Sequence, residues 1–109
     1  MIKKEFLDKL ITLTFLGQKT AVKQFIENIK FVDINMADDF GNCAVLVAAE
    51  RNELDMLKLL VTLGANLDVL DKDGYTPLKW AQDYKNQEMI DFIQETINKN
   101  KFDININQE

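Results

Sequence analysis

Among the side chains able to do chemistry, carboxylates are plentiful, while histidine is missing from all 109 residues. Without an imidazole, the commonest general base, the usual nucleophile–base triads and the standard histidine-containing zinc sites are excluded. Asp38-Asp39 is a carboxylate pair, but acid–base work needs a pocket that perturbs protonation, and a turn tip is wet. The run Asp71-Lys72-Asp73-Gly74 opens like a calcium loop, yet the bidentate glutamate due six residues after the glycine falls on Trp80. No two of the four glycines have the spacing of a phosphate cradle. The lone Cys43, set in Asn42-Cys43-Ala44-Val45-Leu46, reads as a buried, reduced side chain. Trp80, beside Ala81, reads as packing. The expectation is a protein that is not an enzyme and holds no metal and no cofactor.

The elements that carry these residues repeat. Asp38 to Ala48 lies over Asp71 to Ala81 at a constant offset of 33, with Asp, Gly and Ala coinciding at Asp38/Asp71, Gly41/Gly74 and Ala48/Ala81. Downstream, Asp55-Met56-Leu57 faces Glu88-Met89-Ile90, and Leu59-Leu60 faces Phe92-Ile93. Upstream, Val22, Phe25 and Ile26 take the places of Leu57, Leu60 and Val61 at an offset of 35, so the leading copy is two residues longer, near Asn28-Ile29. A period of this size is the mark of stacked supersecondary units.

Each unit reads as helix, turn, helix, extended turn. Thr76-Pro77 is a helix start, because a threonine hydroxyl caps an orphan N–H and proline lacks the donor that the first helical position leaves unused. The short helix after Pro77 should stop around Tyr84-Lys85-Asn86, and Gly17, Asn52 and Asn86 are expected to mark the end of the first helix of each pair, since Gly and Asn tolerate the left-handed conformation. Leu54, Leu57, Leu60 and Val61 mark one second helix, and Met89, Ile90, Ile93 and Ile97 the next. Gly64 ends the former, and Asp71-Lys72-Asp73-Gly74 suits a tight, hairpin-like turn. In the leading unit Ile2, Phe6, Leu10 and Leu13 should face inward.

These residues resemble the ankyrin repeat. The motifs are Gly64-Ala65-Asn66-Leu67-Asp68 followed by Asp71 to Leu78, with a second copy in Asp38 to Ala49 and Asp55 to Leu60. The resemblance covers roughly residues 5 to 100. Two departures stand out: Cys43-Ala44 replaces Thr-Pro, and Leu46 and Lys79 occupy the position where the family usually has a bracing histidine. The resemblance implies an all-α ankyrin-repeat solenoid of about three stacked helix-turn-helix units joined by short hairpin-like loops, at about 2–37, 38–70 and 71–103, with 104–109 as a tail. Lys101 to Asn105 echoes Lys30 to Asn35, as if a further unit were to begin. Three units are near the minimum for such a stack, so losing either end should unfold the rest.

In the resembled family, partners are held by the loop tips and the exposed side of each first helix, which line a concave face. Carried over by motif position, that face comprises Asp39, Phe40, Asn42, Glu50 and Arg51 from the middle unit and Lys72, Asp73, Tyr75, Asp83 and Tyr84 from the last, with Leu70 at its edge. The expected function is a non-catalytic protein-binding module that occludes its partner. The alternatives are an immunity or antitoxin-type protein that neutralises a basic toxin, and a structural protein that self-associates.

Composition bounds the partner. With 47% apolar and 28% charged residues and one proline, the chain is too apolar for wholesale disorder and the size of one domain. A net charge of −5 opposes binding to nucleic acid and to anionic membranes, whereas a basic protein surface is steered in. Glu5, Asp8 and Lys9 break the apolar run that a signal peptide needs, and Leu10 to Leu16 is far too short to span a bilayer. A cytoplasmic protein, monomeric when free, is expected.

Overall fold

The computed structural model describes residues 3–29 and 33–107, with side chains over 4–29 and 33–100. Its elements are six helices: α1 (Lys3–Phe15), α2 (Lys19–Asn28), α3 (Ala44–Glu50), α4 (Leu54–Thr62), α5 (Pro77–Asp83) and α6 (Gln87–Asn107). They pair as three hairpins, α1 with α2, α3 with α4 and α5 with α6, and α3 lies between α1 and α5. The first helices therefore form one layer. Behind it α2 packs on α4, and Lys58 of α4 holds its ammonium 5.7 Å from the Phe92 ring centroid of α6.

Residue size explains the sandwich. Ala44 through Ala49 are all buried, because α3 is covered by a neighbour on each side and by α4 behind. Ala44, Ala48, Ala49 and Ala81 leave room for close approach, while Leu10, Val22, Leu57, Leu60, Met89 and Ile93 fill the space between the layers without any exposure. Truncating such a leucine to alanine costs about 2–5 kcal/mol. Phe6 and Leu10 face inward as expected, with Phe6 stacked on Phe25 at 4.7 Å between centroids, and Leu13 is half-buried. Ile2 lies outside the described residues. Thr14, the polar residue of this core, returns its hydroxyl to the Leu10 carbonyl at 2.8 Å.

The turns repeat as closely as the helices. Gly17, Asn52 and Lys85 adopt positive φ (71°, 57° and 55°) after α1, α3 and α5. The third stop is thus Lys85 and not Asn86, because the repeat offset sets Lys85 against Asn52 and overrides the poorer left-handed preference of lysine. Asn86 does two other things: its side-chain oxygen accepts from the Met89 N–H at 3.2 Å to start α6, and its amide donates to the Asn52 side chain at 2.8 Å.

Thr76 caps α5 by accepting from the Lys79 N–H at 3.1 Å, with Pro77 first in the helix. Cys43 occupies the same place before α3 and makes no side-chain cap bond. Burial on three sides holds α3 instead. The echo in Lys101 to Asn105 does not start a new turn, since α6 continues as a helix to Asn107.

Candidate functional site

Two loops shape the exposed edge of the first-helix layer, and one carboxylate builds each. Asp38 Oδ1 accepts from the N–H groups of Phe40 and Asn42, both at 2.9 Å, while Asp71 Oδ1 accepts from Asp73 and Tyr75 at the same distances. The backbone closes around them through Asp38 N–H to Asn42 and Gly41 N–H to Asp38, and through Asp71 N–H to Tyr75 and Gly74 N–H to Asp71. Gly41 and Gly74 sit at φ 82° and 83°, a conformation that side chains disfavour. Asp38 and Asp71 are thereby committed to loop geometry, which leaves Asp39 and Asp73 as the carboxylates offered outward.

The loops and the first helices share grooves. Phe40, Asn42, Glu50, Lys72, Asp73 and Tyr75 all line one groove of about 520 Å³, completed by Asp71 and Trp80. A second, of about 460 Å³, is lined by Asp39 and Phe40 together with Lys4, Leu7 and Asp8 of α1 and the segment Met36 to Asp38. Phe40 belongs to both and is 74% exposed.

Four of the expected residues lie elsewhere. Arg51 lays its guanidinium 4.4 Å from the Phe15 ring centroid, and Asp83 is held by Lys79 Nζ at 2.8 Å. Tyr84 packs on Trp80 and donates its hydroxyl to the Glu50 carbonyl. Leu70 is exposed and borders neither groove.

Trp80 is both packing and surface. Half-buried, it stands between Tyr75, at 4.4 Å between centroids, and Tyr84, at 6.1 Å, so three rings form a row, of which Tyr75 and Trp80 wall the larger groove. The signal was the spacing of four between Trp80 on α5 and Tyr84 at its C-terminal end. Phe15 and Leu16, 50% and 59% exposed, are a second apolar pair that sequence reasoning passed over. They align with Glu50 and Arg51 at the leading offset (50 − 15 = 35 and 51 − 16 = 35).

Both grooves carry more negative than positive side chains. Each carries three carboxylates against one lysine: Asp8, Asp38 and Asp39 with Lys4, and Glu50, Asp71 and Asp73 with Lys72. Asp8, Asp39, Glu50 and Asp73 form no ion pair among the described residues. The rings already draw cations, since Lys72 Nζ lies 5.8 Å from the Phe40 centroid and Lys79 Nζ 5.9 Å from that of Tyr75. Such contacts contribute about 0.5–1 kcal/mol at exposed sites and more when water is excluded.

The family model for ankyrin repeats, in three copies, matches residues 10–107. The chain belongs to the ankyrin-repeat family. It is 30% identical over 82 residues to an ankyrin repeat protein of Rickettsia bellii, covering 72% of this chain and 49% of that one. To an ankyrin repeat protein of Acanthamoeba polyphaga mimivirus it is 29% identical over 93 residues, 84% of this chain and 12% of the viral protein. To protein phosphatase 1 regulatory subunit 12A of Mus musculus it is 31% identical over 83 residues, 71% of this chain and 8% of that subunit. The chain thus spans about half the length of the first relative and far less of the others. Ankyrin repeats generally mediate protein–protein interaction and are typically non-catalytic. Among the described residues no helix is long and apolar enough to cross a membrane.

Proposed function

We propose that this ankyrin-repeat chain binds a partner protein with a basic surface along its loops and first helices, and hinders that partner by covering it. The observation that carries the reading is Phe40: a phenyl ring left 74% exposed at the junction of two grooves, each with more carboxylates than lysines. Burying an aromatic side chain removes roughly 150–250 Å² from water, which makes such a ring an anchor once a partner covers it. Tyr75, Trp80 and Glu50 line the neighbouring wall, and Asp39 and Asp73 steer positive charge toward it. In this reading the free chain is a cytoplasmic monomer.

The test compares baits. Proteins captured by the wild-type chain are identified by mass spectrometry and set against those captured by Phe40→Ala and by Asp73→Lys. A basic protein retained by the first and lost by both variants is the expected result. Capture that ignores both substitutions contradicts the proposal. Light scattering of the free chain at several concentrations separates this reading from self-association, in which the mass rises with concentration.

A further inference from the structure

The two grooves are successive positions of one repeat and not independent features. One lies between α1 and the Asp38 loop, the other between the Asp38 loop and the Asp71 loop, and Phe40 separates them. Each offers two carboxylates that the loops do not consume, Asp8 and Asp39 in the first and Glu50 and Asp73 in the second. In the second, Lys72 shows the position a cation takes over the Phe40 ring.

Their separation follows from packing. Adjacent helices lie about 8–10 Å apart, and the α1, α3 and α5 layer advances by one such step per unit. In the extended polyproline II conformation a peptide rises about 3.1 Å per residue and completes a turn every three residues, so one step corresponds to roughly three residues and returns the side chain to the same face. We infer that the paired grooves receive an extended basic segment of the partner whose two cationic side chains stand three residues apart, with Phe40 packed against the stretch between them. Arginine suits both places, because a planar guanidinium stacks on a ring and hydrogen-bonds a carboxylate at its edge. This inference rests on the proposed binding face and adds to it the form and spacing of what is bound.

The probes are glycine peptides carrying two arginines separated by zero, two or five glycines, and a control with one arginine, titrated into the isotope-labelled chain and read from amide resonances and Trp80 fluorescence. The peptide with two intervening glycines is expected to bind at least about tenfold more tightly than the single-arginine control, because its second contact forms at high effective concentration. Resonances should move at Asp39 and at Asp73 together, and Asp39→Lys or Asp73→Lys should each bring the affinity down to the control. Equal affinity across the spacings, or shifts confined to one groove, overturns the inference. If partner capture still depends on Phe40 while the peptides show no preference for spacing, this inference fails and the proposed function stands.

Discussion

The hydroxyl of Tyr84 donates to the backbone carbonyl of Glu50, one unit earlier in the chain. With the Asn86 amide donating to Asn52, it straps the third helix pair to the second along the edge of the first-helix layer. Removing the hydroxyl alone, as Tyr84→Phe, should lower stability by about 1 kcal/mol while the ring stays stacked on Trp80. Denaturant titration measures it; an unchanged midpoint would show that the strap contributes nothing.

The loop carboxylates should matter more than their outward neighbours. Asp71 serves two backbone N–H groups and Asp73 serves none, so Asp71→Ala should cost about 1–3 kcal/mol, and Asp73→Ala about 0.5 kcal/mol or less. Amide exchange at Tyr75 reports the loss directly. It should accelerate in the first variant only.

Gly41 and Gly74 are equivalent by repeat and nearly identical in φ, yet their surroundings differ. A methyl group on Gly41 meets the Lys72 backbone nitrogen at 2.9 Å, whereas one on Gly74 meets nothing within 4 Å. Both alanine variants carry the left-handed penalty of about 1–2 kcal/mol. Gly41→Ala should lose at least about 1 kcal/mol more through the clash with the next loop. Equal losses in paired unfolding experiments would mean that the loops do not pack on each other.

Burial raises the pKa of the Cys43 thiol from its ordinary 9.0, partly offset by the nearby backbone N–H groups of Leu46 and Val45. The folded chain therefore favours the neutral thiol. Its contribution is intact below about pH 9 and is lost as pH rises through the higher folded value, because the unfolded chain gives up the proton first. A thiol-specific reagent at neutral pH should label Cys43 only on unfolding. Rapid labelling of the native chain would contradict its burial.

Phe40, by contrast, should be silent in stability and loud in binding. Phe40→Ala should leave the melting temperature unchanged and weaken partner binding by about 2 kcal/mol or more. Tyr75→Ala should weaken binding similarly, with a small loss of stability because Tyr75 also packs on Trp80. Calorimetric titration with the captured partner gives both values.

The offset of 33 carried most of the fold, because residues that recur at one spacing in equivalent units meet equivalent neighbours. Asp38 and Asp71, Gly41 and Gly74, and Ala48 and Ala81 all occupy matching places. The same offset would have located the third stop at Lys85; preference for asparagine, a property of the isolated residue, pointed one position too far. Trp80 was harder to place. Its side chain is half wall and half packing, and which half faces outward depends on Tyr75 and Tyr84 beside it, a relation that needs the loop to be folded. Arg51 was legible as exposed, but its partner Phe15 sits across a unit boundary where the offset changes to 35.

Binding along the loops and first helices places a partner over Phe40. Placing a photoreactive side chain at Phe40, and separately at Gln94, exposed on α6, tests it most directly. The captured partner should be crosslinked in high yield from position 40 and not from position 94. Crosslinking from 94 with none from 40 would contradict this placement.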